Sequence, residues 1–279
     1  MKTDIQTFAF KALPIDIEVK DLKFIKELPE MLGQPHRVAF YQILWLDRGY
    51  AKMNIDFHEI GVESNELLMI TPGQICAFDT ESAYEGKLIL FTGSFFNGSE
   101  IDANFLYSSE LLNPIRLHKK IAIRPDQMRP LVYLLEKELM QGETSFQIAI
   151  AQSYLRIILF ESERQFSKDA TVLVNSIARR FYNAVENHYK KNRTTEFYQN
   201  LLSVNEKKLA KEIKVFSGKT PKVYIDSRII LEAKRLLIYS DLSIQEIGYS
   251  LGFEEPSYFN KYFKRHVYST PFEFRKRHY

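Results

Sequence analysis

Two short stretches carry polar side chains at helical spacing with a marked chemical bias. In one, Lys207, Lys208 and Lys211 surround the apolar pair Leu209 and Ile213; in the other, Ser257, Asn260, Lys261 and Lys264 surround Phe259 and Phe263. Lysine brings three hydrogen-bond donors and no acceptor, whereas serine and asparagine bring both. Projected from one helix face, such groups can pair with phosphates or reach base edges in a major groove. The all-lysine set suits phosphate or guanine better than adenine. A solvated helix face uses the same residue types, so the elements that hold these side chains decide their meaning.

Ser243 followed three residues on by Glu246 is a capping box, which opens a short helix with Ile244, Ile247 and Leu251 on one face. Gly252 suits the left-handed conformation that ends it, and Glu254 to Ser257, with Pro256 in a first turn, open a second helix that turns Phe259 and Phe263 inward. A shift of fifty residues repeats the pattern. Leu201 aligns with Leu251, Leu209 with Phe259, Lys211 with Lys261, Ile213 with Phe263, Lys214 with Lys264, Thr220-Pro221 with Thr270-Pro271 and Tyr224 with Phe274. In the first copy Thr194 or Thr195 caps a helix to about Leu202, Ser203-Val204 turns the chain, and Asn205 caps a helix from Glu206 to Val215. Pro221 opens a long helix to about Tyr239, whose Tyr224, Ile230, Leu231, Leu237 and Ile238 are expected to bury against both copies.

Charge separates the chain into unlike parts. Residues 171–279 hold 20 Lys+Arg against 11 Asp+Glu, and residues 1–170 hold 18 against 24, so only the C-terminal part favours a polyanion. The single Cys76 cannot form an intramolecular disulfide. No signal-like or membrane-length apolar run is present, which predicts a cytoplasmic location without membrane contact. A chain of 279 residues suits two domains. The expected division is 1–168 and 169–279, with a short polar linker at Ser167-Lys168-Asp169-Ala170.

In the N-terminal part, Phe40 to Leu46, Met53 to Phe57, Glu66 to Ile70 and Leu88 to Phe91 are apolar runs, broken at Asp47-Arg48-Gly49 and Thr71-Pro72-Gly73. They predict a small β-barrel or sandwich. His36, Tyr41, Trp45, Phe57 and Phe91 could line a small-molecule pocket, or could be barrel core, because alternation along a strand does not say which face points inward. His36, His58, Glu59 and His118 lack the His-X-His spacing of a metal-dependent barrel enzyme, so neither a metal, a cofactor nor catalysis is expected. After Pro125 the period becomes helical, giving a helix pair at about 125–165. Its second helix carries Ile150, Tyr154, Ile157 and Ile158 beside Ile148 and Leu155. That apolar width exceeds one stripe and leaves open a second contact, either within the domain or with another subunit.

Residues 171–279 closely resemble the DNA-binding domain of the arabinose-regulator (AraC) family of bacterial transcription factors. The resemblance is carried by Arg228, Ala233 and Leu236-Leu237, by Leu242-Ser243-Ile244, Ile247, Tyr249 and Leu251-Gly252-Phe253, by Ser257-Tyr258-Phe259 and Phe263-Lys264, and by Thr270-Pro271 to Arg275. The N-terminal part is similar to the cupin-type sensor of that family through Pro35-His36-Arg37, Phe40-Tyr41 and Ile70-Thr71-Pro72-Gly73. The resemblance implies an α+β multidomain protein: a cupin-like barrel or jelly roll and an antiparallel helix pair, then an all-α domain of two helix-turn-helix units joined by a long helix. It implies double-stranded DNA as partner, with Lys207, Lys208, Lys211, Ser257, Asn260, Lys261 and Lys264 at contact positions and the two reading helices roughly 34 Å apart in successive grooves. It further implies transcription regulation at the bacterial nucleoid, commonly activation, with RNA polymerase, a small-molecule effector and a homodimer as partners. A barrel that serves only protein contacts, and an enzyme joined to a DNA-binding module, are the alternatives. One departure stands out: the family's glycine before Thr-Pro is Gly218 in the first copy and Tyr268 in the second.

Overall fold

The computed structural model describes residues 6–10, 15–27, 33–79, 81, 83–99, 101–102, 105–106, 109–113, 120–141, 146–166 and 177–277. The chain divides into two compact units, one within Gln6–Val174 and the other within Asn175–Tyr279. The expected linker at 167–170 lies outside the described residues. No described helix is long and apolar enough to cross a membrane.

The first unit is a curled sheet of nine described strands: β1 (Thr7–Phe8), β2 (Ile17–Asp21), β3 (His36–Val38), β4 (Tyr41–Ile55), β5 (His58–Glu63), β6 (Glu66–Ile70), β7 (Ile75–Phe78), β8 (Tyr84–Phe91) and β9 (Lys120–Ala122). Short helices α1 (Lys23–Lys26) and α2 (Gly93–Phe96) and longer helices α3 (Pro125–Leu139) and α4 (Gln147–Phe166) complete it. The break expected at Asp47-Arg48-Gly49 is absent, because β4 runs through it for 15 residues. The register against β8 shifts between Leu46 and Arg48, leaving Asp47 as the extra residue, and Gly49 takes φ +92° where a Cβ would meet the Ala83 carbonyl at 2.1 Å. The residues that suggested a turn instead make a bulge, which bends the strand without ending it. The first part of β4 pairs with β8 and β6, and its far end with β5 and β7.

A second expectation also shifts. The strand expected to reach Phe57 ends at Ile55, and Asp56 and Phe57, at φ 45° and 76°, form a two-residue hairpin turn into β5. The Asp56 carboxylate accepts from the Ile75 N–H at 3.2 Å and from Gln74 Nε2 at 3.1 Å. Gln74 Oε1 in turn accepts from the Thr71 N–H and hydroxyl, so the Pro72-Gly73 turn and the hairpin brace each other.

Alternation along β4 sorts its side chains onto two cores. Leu44 and Leu46 join Phe40, Met53, Ile55, Val62, Phe78 and Leu88 inside the curl. Tyr41, Ile43 and Trp45 face the other way, with Ile89 and Phe91 in a core completed by Val132 and Leu135 of α3 and Leu155 and Ile158 of α4. Helices α3 and α4 therefore exist to cover one face of a sheet whose other face is closed by its own curl.

In the second unit, α5 (Ile177–His188) precedes α6 (Thr195–Leu202), α7 (Glu206–Ser217), α8 (Pro221–Tyr239), α9 (Ile244–Ser250), α10 (Pro256–Val267) and α11 (Pro271–Arg277). The pair α7 and α10, and the pair α8 and α11, each repeat at fifty residues, but α6 and α9 differ by forty-nine. Thr194 matches Ser243 as N-cap, and Ser203 (φ 55°) matches Gly252 (φ 77°) as the left-handed residue. Leu201, 47% exposed, is therefore not the counterpart of the buried Leu251, whereas the buried Leu202 is. The first turn is one residue shorter, so a single fifty-residue shift misaligns the leading helices.

Two stability effects follow. Tyr268 caps α10 at φ 60° and is 91% exposed, so its side chain contributes little packing while the backbone bears the left-handed cost. Tyr268→Gly is expected to stabilise the chain by about 1 kcal/mol, read as a higher urea midpoint of the circular-dichroism transition. In the other unit His36 is fully buried between Phe8 and Phe78. Its Nδ1–H donates to the Gln34 carbonyl at 3.1 Å, and Nε2 lies 3.3 Å from the Cys76 thiol. Burial holds the imidazole pKa below its ordinary value. Below about pH 6.5 the unfolded chain then binds a proton that the folded chain refuses, so stability falls as pH drops from about 7 to 5.5. Urea melts followed on Trp45 emission are expected to show this loss, and His36→Phe to reduce it.

Candidate nucleic-acid interface

Asn205 caps α7, its side-chain oxygen accepting from the Lys208 N–H at 2.8 Å. Leu209 and Ile213 are fully buried, which turns Lys207, Lys208 and Lys211 outward, and all three are exposed. In α10, Pro256 occupies the first turn and Phe259, Tyr262 and Phe263 are buried, leaving Ser257, Lys261 and Lys264 exposed and Asn260 half-buried. Asn260 Nδ2 donates to the Pro256 carbonyl at 3.0 Å. Further exposed side chains on these helices are Glu206, Lys214 and Val215 on α7 and Tyr258 and Arg265 on α10. The repeat held the signal for Lys214, because the fifty-residue shift places it opposite Lys264.

Helix α8 sets how these faces are held, since it packs on α5 and α7 of the first half and on α9, α10 and α11 of the second. Asp226 on α8 accepts from the Tyr262 hydroxyl of α10 at 2.7 Å and from Lys222 Nζ at 2.6 Å. The halves also interlock directly. Gly252, at the turn after α9, lies so close to the Lys190 carbonyl that a Cβ would meet it at 1.9 Å. Arg193 lies 3.6 Å from the Phe253 ring centre and donates to the Leu251 carbonyl at 3.1 Å. A glycine is thus required at 252 for space as well as for φ.

Arg228, one of the residues that carries the family resemblance, is turned away from the lysine faces. Its Nε donates to both Glu186 oxygens at 2.8 and 2.9 Å, Nη1 reaches Glu232 at 3.3 Å, and Tyr189 lies under the guanidinium. Burial opposes its charge, but Glu186, Tyr189 and Glu232 outweigh burial and hold its pKa above the ordinary value. Arg235, almost wholly buried, meets the same Glu232 at 3.3 Å. Removing one partner of such a set strands the others without solvent.

The first unit disperses the other candidate residues. Tyr41 stacks on Phe91 at 5.1 Å and Trp45 lies in the same core, between sheet and helices. His36 packs on Phe78, a residue of the opposite core, and Phe57 sits in the hairpin turn. The five residues do not converge on one cavity. His118 lies outside the described residues, and the His58 imidazole bonds to the Asp56 carbonyl at 2.8 Å. On α4, Ile150 and Ile157 are exposed and Tyr154 is half-buried, but Ile158 is wholly within the unit's own core and has no surface left for a partner. Phe146, four residues before Ile150, extends the exposed apolar face instead, whereas the exposed Ile148 lies on the side of Ala151 and Leu155.

Arg228→Ala is expected to destabilise the chain by about 3–5 kcal/mol, seen as a lower circular-dichroism urea midpoint with the Trp45 transition unmoved.

A family profile described as a helix-turn-helix domain matches residues 198–277. The HTH-type transcriptional activator RhaS of Enterobacter sp. (strain 638) is 27% identical over 92 residues, 33% of this chain and 33% of RhaS, so the match spans about a third of that relative. Among solved structures, the C-terminal domain of the response regulator yesN from Fusobacterium nucleatum is 27% identical, with 34% of this chain and 93% of that one covered at a TM-score of 0.32. ToxT from Vibrio cholerae is 14% identical over 93% of this chain and 97% of its own, at a TM-score of 0.45. Residues 198–277, with their paired helices and left-handed caps, are thus a helix-turn-helix domain of the arabinose-regulator (AraC) type.

Proposed function

We propose that the protein is a sequence-specific DNA-binding regulator of transcription, with α7 and α10 as the reading helices of two helix-turn-helix units. The observation that supports this best is the mounting of both helices on α8: each buries its aromatic or aliphatic face and turns lysines outward. Lys207, Lys208 and Lys211 act on phosphates or guanine edges; Ser257 and Asn260 add base-edge contacts, with Lys261 and Lys264 beside them. The matched relative RhaS is a transcriptional activator, which supports activation, and with it contact to RNA polymerase, as the sense of regulation.

The curled-sheet unit then serves as a cupin-like sensor of a small-molecule effector. A homodimer forms through the exposed face of α4, at Ile150 and Ile157 with Phe146, an apolar surface that water does not favour.

The test is selection of bound duplexes from a random pool by the full chain, followed by affinity measurements across a salt series. Lys211→Ala is expected to weaken all duplexes alike and reduce the salt slope by about 1 if it neutralises a phosphate, or to relax one base position by about 1–3 kcal/mol if it reads guanine. Recovery of no preferred sequence, or unchanged affinity of the variant at low salt, would overturn the assignment.

A further inference from the structure

The sheet face that meets α3 is not wholly covered. A cleft of about 520 Å³ opens between α3 and the strands β2, β4 and β8. Trp45 and Val132 supply the apolar part of its wall, and Tyr133, 61% exposed, stands at the rim. The rest is charge of both signs, already paired. Lys87 Nζ lies 2.6 Å from Glu136 and 3.0 Å from Asp21, Arg129 meets Asp47 through Nε and Nη2 at 3.1 and 2.5 Å, and Lys23 lies 3.7 Å from Glu85.

Two further features distinguish this cleft from an ordinary dent. The Trp45 indole N–H is buried beside it and has no acceptor among the described residues. The cleft also coincides with the β4 bulge. Asp47 is its extra residue, and Gly86 across the ladder has no room for a Cβ, which would lie 2.0 Å from the Trp45 carbonyl. Bulges at such places aim side chains.

The charge pattern selects the ligand. An anion taken by Arg129 alone would strand Asp47, and a cation taken by Asp47 alone would strand Arg129; a ligand bearing both charges gives each of them a new partner at once. Arg129 is 54% exposed, and ion pairs in water are weak, so that exchange is easily made. We propose that this cleft binds a small zwitterion with an apolar body, of the amino-acid type. Its carboxylate lies on Arg129, its ammonium on Asp47, and its body lies against Tyr133 and the edge of Trp45 and Val132. The inference names the ligand class for the sensing role proposed above and rests on that role only for its regulatory meaning. Because binding is read without DNA, its failure leaves the DNA-binding assignment untouched.

Trp45 is the only tryptophan in the chain, so its emission reports the cleft directly. The full chain would be titrated with L-phenylalanine, L-leucine and L-methionine, and with phenylacetate, phenethylamine and N-acetyl-L-phenylalaninamide, which carry one charge or none. At least one amino acid is expected to give a saturable change and to bind about tenfold or more tighter than every singly charged or neutral compound. Arg129→Gln, whose exposed position leaves the core intact, and Asp47→Asn are each expected to weaken it about tenfold, and Lys137→Gln, exposed on the same helix, to leave it unchanged. No saturable response to any amino acid, equal binding of the singly charged or neutral compounds, or a response indifferent to Arg129→Gln would overturn the proposal.

Discussion

The C-terminal unit depends on one helix being buried from both sides. Helix α8 buries Tyr224, Ile225, Ile229, Ala233 and Leu237, and also four ionisable side chains, Asp226, Arg228, Glu232 and Arg235. Charge is tolerated there because each group finds its opposite: Asp226 holds Lys222 and the Tyr262 hydroxyl, and Glu186 and Glu232 hold the arginines. These bonds run to α5 on one side and to α10 on the other, so they orient the two halves as well as stabilise them. A purely apolar helix would bury as much area with less directional constraint. The turn at Gly252, closed onto the Lys190 carbonyl, adds a contact with no slack.

The N-terminal unit solves a different problem, which is how one strand can serve two cores. Strand β4 changes partners along its length, and the bulge at Asp47 with Gly49 supplies the bend. Period-two alternation then sends Leu44 and Leu46 into the curl and Tyr41, Ile43 and Trp45 towards α3 and α4. The charged cleft beside Trp45 lies where that second face meets the open side of α3.

Much of the fold was legible in the residues themselves. The capping box at Ser243 and Glu246 forms as its spacing requires, with bonds of 2.7 and 3.2 Å, and Asn205, Pro221 and Pro256 begin their helices as expected. The departure at Tyr268, where the family pattern has a glycine, falls on a residue that takes positive φ. Less legible were features for which one residue type serves two structures. Asp47-Arg48-Gly49 suits a turn or a bulge, and only the pairing of β4 with β8 distinguishes them. Leu201 and Leu202 are equally apolar, and only the shorter first turn makes Leu202 the buried one.

What the sequence determined by itself is local: where helices begin and end, which helical positions face a core, and that lysines dominate the outward face of α7. Those outcomes depend on neighbours within a turn or two, whose chemistry is written consecutively. The tertiary structure alone decided which face of β4 meets α3, that Ile158 is core while Ile157 is surface, and that Arg228 is committed to Glu186 and not to the lysine faces. Each of these depends on partners 42 or more positions away or on a choice between two equivalent faces, and periodicity is silent on both.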